Sequence, residues 1–208
     1  FFLFFIGSFS SIAQTTHQVS VMATVSNNAL SLQGILDLDV PSAGSDGKAI
    51  HLVVIADISD LSEFGIGVAN NGGGTDGMEE VFPAMSVSAG DNILLARSTS
   101  AMEAYFSDCY SNFEHVLVAG SSISQNGDDA IELYEGENVI ETFGDINTDG
   151  TGEPWEYTDS WAYKVDGTWT YGGVNCSDDS QTTLSSNCIY PICDTGGDIS
   201  GCMDETAF

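Results

Sequence analysis

The sequence predicts an all-β protein, an antiparallel sandwich with one short helix and a disulfide-containing tail. Three observations carry this. About nine short runs show strand patterning between turn signals. Only Ser98–Phe106 reads as a helix. The segment Ala130–Tyr134, polar turn Glu135-Gly136-Glu137-Asn138, then Val139–Phe143 reads as a hairpin, with Ile131 and Leu133 alternating against Glu132 and Tyr134.

The remaining elements follow in chain order. Thr15–Asn28 is polar and β-branched, a linker or a first edge strand, and Leu30–Leu38 reads as a strand. Pro41–Gly47 is a loop by its Ser, Gly and Asp content. Ala49–Ala56 is an almost continuous apolar run, as expected of a strand covered on both faces. A turn at Asp57–Ser62 leads to a strand at Phe64–Val68. The glycine-rich stretch Asn70–Gly77 has no following Lys and no following helix, so it reads as a hairpin connection rather than a phosphate cradle. Val81–Val87 reads as a strand whose Pro83 suits an edge. Ser88–Asp91 is a turn before the strand Asn92–Ser98, and Ser98 or Ser100 caps the helix, with Glu103 in its first turn. Cys109–Glu114 is irregular, and His115–Gly120 is a strand. After the hairpin, Trp161–Val165 and Thr168–Tyr171 close the sheet around Asp166-Gly167.

Composition limits the partners. Three Lys and Arg (Lys48, Arg97, Lys164) stand against 31 Asp and Glu, a net charge of −28. Such a surface repels phosphate backbones, so direct nucleic-acid binding is disfavoured. The 42% hydrophobic content and the β-alternation argue against disorder. Phe1–Ile6 is an apolar h-region, and Ser11-Ile-Ala13 fits a cleavage site before Gln14. Residues 1–14 therefore read as a signal peptide whose start lies before Phe1, and the protein is expected to be secreted or displayed at the cell surface. No run is long enough for a membrane span.

In an oxidising compartment the cysteines are expected to pair. Cys109, Cys176, Cys188 and Cys193 are the candidates, and their four positions allow three connectivities. Cys202 is the odd fifth, expected to pair beyond Phe208.

Catalytic motifs are sparse. His17, His51 and His115 are scattered, with no HExxH or GxSxG pattern, and His51 reads as a satisfied core or face residue. Trp155, Tyr157, Trp161, Tyr163, Trp169 and Tyr171 offer either a sugar-stacking face or core packing, and packing is favoured. One constellation has ligand spacing. Asp145-x-Asn147-x-Asp149-Gly150-x5-Glu156 satisfies a calcium-loop pattern: oxygens at positions one, three and five converge, glycine allows the turn, and Glu156 adds two more. Its flanks read as strands and Pro154 is unusual there, so a hydrogen-bonded acidic turn is the competing reading.

The ordered run GSDGKAIHLVVIADISDLSEFGIGVANNGGGTDGMEEVFPAMSVSAGDNILLARS, GDDAIELY, VIETFGDINTDGTGEPWEY and DSWAYK resembles the lamin tail domains of secreted bacterial proteins, over roughly residues 30–175. The resemblance implies an immunoglobulin-like β-sandwich and an extracellular module, without implying a chemistry. Domain organisation follows as signal peptide 1–14, linker or edge strand 15–29, lamin-tail-like sandwich 30–173 and cysteine-containing tail 174–200. Residues 201–208 resemble the start of a cysteine-bounded repeat. The expected role is a non-catalytic binding, adhesion or spacer module for an extracellular protein or polysaccharide. The alternative is the accessory domain of a secreted, nuclease-like hydrolase whose catalytic domain lies outside these residues.

Overall fold

The computed structural model describes residues 28–40 and 44–194. The signal-peptide stretch, most of the 15–29 linker, and Cys202 with the 201–208 repeat start lie outside the described residues. Ten strands and one α-helix form in the order β1 (Leu30–Asp37), β2 (Lys48–Val54), β3 (Phe64–Ala69), β4 (Glu80–Val81), β5 (Asn92–Ala96), α1 (Thr99–Phe106), β6 (His115–Val118), β7 (Ala130–Glu135), β8 (Asn138–Phe143), β9 (Ser160–Val165) and β10 (Thr168–Tyr171). They build a six-stranded sheet, β10-β9-β1-β2-β5-β6, and a four-stranded sheet, β4-β3-β7-β8.

The two sheets share a first core. Leu32, Ile35, Ile50, Leu52 and Leu95 from the larger sheet meet Ile66, Val68, Ile131, Leu133 and Phe143 from the smaller one. The alternation of Ile131 and Leu133 thus points inward as their period of two requires.

A second core covers the opposite face of the larger sheet. Leu36, Leu38, Leu94 and Trp161 pack there under Met102, Tyr105 and Phe106 of α1 and under Cys176, Tyr190 and Cys193 of the tail. This double covering explains why β2 is apolar almost throughout, with four central residues, Ala49–Leu52, all buried.

A bulge distributes β1 between the two cores. The register runs Leu32↔Leu52 and then Gly34↔His51, leaving Gln33 as the extra residue. Before it Leu30 and Leu32 face the first core; after it Ile35 keeps that direction while Leu36 and Leu38 face the second. The bulge reverses the side-chain parity.

Three local expectations are corrected. Val81–Val87 is not a strand: β4 ends at Val81, and Val87 only makes an isolated bridge to Ile58. Pro83 has no N–H to continue a ladder. The sheets are not wholly antiparallel, since β6 runs parallel to β5, α1 and the irregular segment after it supplying the crossover that a parallel pair needs. Glu103 lies beyond the first turn of α1; Ser98 is the cap, its hydroxyl accepting from the Ala101 N–H.

Candidate functional site

The acidic loop and the glycine-rich loop come together at one end of the fold. The Asn70–Gly77 stretch does connect antiparallel neighbours, β3 and β4. Gly74 N–H donates to Ile146 O (2.8 Å), and Asn71 N–H donates to the Asp129 carboxylate (2.7 Å). Gly72, at φ 68°, lies against the Thr148–Asp149 backbone, where a Cβ would meet Asp149 N at 2.6 Å. Only glycine satisfies both the positive φ and that approach.

Within the acidic loop each carboxylate turns to its own backbone. Asp145 accepts from Asn147 N–H (2.9 Å) and from the Thr148 hydroxyl (3.0 Å). Asp149 accepts from Thr151 N–H (2.9 Å), and hydrogen bonds from Thr151 hold its carboxyl below the usual range. Glu156 accepts from Gly152 N–H (2.8 Å) and from the Thr158 hydroxyl (3.1 Å). The Asp145 and Asp149 contacts are Asx-type turns, the local alternative to regular structure that Asp side chains favour, while Glu156 reaches back to the Gly152 N–H. Among the described residues no group of three or more His, Cys, Asp or Glu is gathered to hold a metal ion. Asp145, Asn147, Asp149 and Glu156 share one loop, and its three carboxylates are engaged in these local hydrogen bonds.

The loop is anchored from behind by the start of β7. Thr151 donates to Asp128 (2.8 Å), Gly150 N–H to Asp128 O (2.9 Å), and the buried Tyr157 hydroxyl to Asp129 O (2.9 Å). Burial raises the Asp129 carboxyl, partly offset by the N–H donors of Asn71 and Asn126.

Five of the six aromatic residues between Trp155 and Tyr171 pack on the two cores. Tyr157 and Trp161 are buried, Trp155 and Trp169 pack on the first core, and Tyr163 packs on the second. Among the six, Tyr171 is the exposed one.

The tail contains the feature that sequence reasoning missed. Across the larger sheet, Tyr163, Gly34 and His51 are lateral neighbours. Gly34 leaves an opening between the two rings, and Tyr190 fills it; a Cβ at residue 34 would collide with the Tyr190 hydroxyl. That hydroxyl reaches His51 Nδ1 (3.1 Å), while His51 Nε2 meets Asn92 Oδ1 (3.0 Å). Asn92 Nδ2 points at Glu114 (3.4 Å), so its oxygen faces His51. His51 therefore carries its proton on Nε2, and Tyr190 donates to Nδ1. Burial pushes the His51 imidazole down to about 4, so it is neutral at pH 7. His51 is a satisfied core residue, as its apolar setting suggests. Gly34 inside the strand run Leu30–Leu38 was the signal that the sequence offered, since a strand glycine often marks a bulge or a close approach.

Two disulfides fasten the same tail. Cys109 pairs with Cys193 (Cα–Cα 5.3 Å) and Cys176 with Cys188 (5.7 Å). The Trp161 indole N–H adds a bond to Cys188 O (3.1 Å). The connectivity left open by the spacing is thereby resolved for the four described cysteines.

The three cations are committed to the fold. Lys48 pairs with Asp37 at 2.9 Å. Lys164 pairs with Glu141, which also accepts from Leu32 N–H, so this contact ties β8 to the other sheet. Arg97 donates to Ile123 O at 2.8 Å. His115 pairs with Asp91 at 2.9 Å.

No family model, no curated protein and no solved structure matches this chain.

Proposed function

We propose that the protein is a non-catalytic extracellular module, an immunoglobulin-like sandwich of the lamin tail type, that binds or spaces components of a larger secreted or cell-surface protein. One observation carries this reading. The side chains best suited to chemistry serve as joints: His51 is sealed between Asn92 and Tyr190, and Cys109, Cys176, Cys188 and Cys193 are spent in two bridges. Two sheets sharing a core, with the hairpin β7–β8 in the smaller one, support the sandwich part. The bridges support an oxidising compartment.

No described helix is long and apolar enough to cross a membrane. The ligand proposed is an extracellular protein or polysaccharide. Nucleic acid is disfavoured, because affinity for phosphates comes from counterions released by Lys and Arg, and all three such residues are engaged internally.

The test has two arms. The purified protein is screened against immobilised polysaccharides and extracellular proteins, and assayed with nucleic-acid, peptide and glycan substrates. Saturable binding without turnover is the expected result. Hydrolysis that survives re-purification and disappears on substitution within residues 28–194 would overturn the non-catalytic reading. Retention of the natural, full-length protein inside its native cells would overturn the extracellular one.

A further inference from the structure

Each disulfide pairs a buried cysteine, Cys176 or Cys193, with a half-buried one, Cys188 or Cys109, and the two bridges differ in what lies beside them. Cys176 lies under Gly172, where a Cβ would sit 2.7 Å from its sulfur, and against the buried Ser160 hydroxyl at 3.0 Å. Cys109 and Cys193 instead line a cavity of about 290 Å³ together with Asp108, Asn112 and Leu184. Leu184 is 60% exposed, so one wall of that cavity stands at the surface. The cavity is large enough for a small organic thiol. The bridges also differ in what they hold. Cys176–Cys188 closes a short loop within the tail, whereas Cys109–Cys193 ties the tail's far end to the turn after α1, 84 residues away.

We propose that Cys109–Cys193 is a thiol-exchange site, opened by a small cationic or neutral thiol entering this cleft, and that its opening frees the tail from the sheet. A reagent thiolate attacks Sγ of Cys109, the half-buried partner. The S–S bond breaks, and Cys193 leaves as a thiolate that takes a proton from water. A second reagent thiol attacks the mixed disulfide, releases Cys109 and leaves the reagent as its own disulfide. Two reagent thiols are oxidised and two cysteines reduced.

Charge sets the preference among thiols. Asp108 stands in the cleft wall, and the whole chain carries −28. Anionic thiolates with further carboxylates, such as glutathione, are repelled, while an ammonium-bearing thiol such as cysteamine is drawn in. Once the bridge opens, the far end of the tail keeps only non-covalent contacts, Tyr190 in its slot and Asn112 Nδ2 donating to Ile192 O (2.9 Å), so it is free to lift from the sheet.

The experiment uses the folded protein with free thiols blocked beforehand by N-ethylmaleimide. Limiting cysteamine, 2-mercaptoethanol or glutathione is added in native buffer, and newly freed cysteines are alkylated and mapped by mass spectrometry. Label is expected on Cys109 and Cys193 first, with Cys176–Cys188 intact. Per thiolate, cysteamine should outpace glutathione about tenfold at low salt, and the gap should close at about 1 M salt. Leu184→Trp, which fills the cleft from an exposed position, should slow the reaction, and Asp108→Asn should speed glutathione. Limited proteolysis should then cut within residues 174–194. Label appearing first on Cys176 and Cys188, or on all four together, would overturn the site. So would a Leu184→Trp rate equal to wild type, or equal rates for the three thiols. A tail that stays protease-resistant after selective reduction would overturn the release.

Discussion

The two cores of this protein are built from different materials. The first is made by alternating aliphatic side chains on paired strands, such as Ile66, Leu133 and Leu52. The second is made largely of rings and sulfur delivered by a helix, the segment that follows it and a tail: Tyr105, Phe106, Phe113, Tyr190 and the Cys109–Cys193 bridge. The first needs only the period of two to assemble. The second depends on long-range fasteners, because a segment with no regular ladder has little hydrogen bonding of its own to hold it on a sheet. A local pattern therefore builds the inner layer, and covalent and polar links keep the outer one in place.

The largest expected effect comes from cutting the longest link. In the chain-entropy picture a bridge across 84 residues contributes on the order of 4–5 kcal/mol, and one across 12 about 3 kcal/mol. Replacing Cys109 and Cys193 together by Ser should therefore lower unfolding stability by more than replacing Cys176 and Cys188. Denaturant melts of the two double variants check the order. A larger loss for the short bridge would mean that packing of the sulfurs, rather than chain entropy, dominates the outer layer.

Acid should separate the cores next. The folded His51 pKa, about 4, lies below the ordinary 6.5. A depressed imidazole favours the folded state above the unfolded pKa, and this contribution is lost as pH falls from about 6.5 towards 4. Its full size is on the order of 3 kcal/mol. Asp37, Asp129 and Asp159 act with the opposite sign, since burial raises each of them and protonation favours the fold. The groups around His51 are Asn92, Tyr190, Tyr163 and Phe113, with Glu114 behind Asn92 opposing the shift. Comparing stability–pH curves of wild type and His51→Gln isolates the histidine. The variant should lose less stability over pH 6.5–4; parallel curves would mean that His51 is not the acid-sensitive joint.

The slot itself should show a smaller effect. Tyr190→Phe keeps the ring but leaves His51 Nδ1 buried without a donor, at about 1–3 kcal/mol. Urea melts at pH 7 measure this, and an unchanged midpoint would argue against the Tyr190-to-His51 hydrogen bond.

Legibility followed the same division. Strand patterning exposed β1, β2, β3, β5, β6, β7, β8, β9 and β10 because each has its own apolar residues or turn signals. The helix cap was readable from Ser98 because a cap is a local bond. The bulge at Gln33 was hidden inside an ordinary-looking apolar run, and its consequence appears only when Tyr190, 156 positions after Gly34, occupies the opening. Spacing allowed three disulfide connectivities, and only the folded geometry selects one. The calcium-like spacing at Asp145–Glu156 was visible as letters, but whether side chains converge depends on loop torsions that the letters do not encode.

That loop supplies the smallest expected effect and the finest test. Its carboxylates are exposed or half-buried and already accept bonds from Asn147, Thr148, Thr151, Gly152 and Thr158. Assembling them around an ion would require breaking or sharing those bonds. As hydrogen-bonded turns, they should respond to calcium only through screening of a chain at −28, which any salt supplies. Thermal melting in millimolar calcium should then match melting in sodium chloride of equal ionic strength. Asp149→Ala should lower the melting temperature slightly through loss of the Thr151 bond and leave the calcium response unchanged. A bound ion would behave differently, raising the melting temperature with calcium concentration beyond the salt control. It would be reversed by EDTA, weakly imitated by magnesium with its stricter octahedron, and abolished by Asp145→Ala or Asp149→Ala. That second pattern would replace the turn reading with a calcium site at Asp145, Asn147, Asp149 and Glu156.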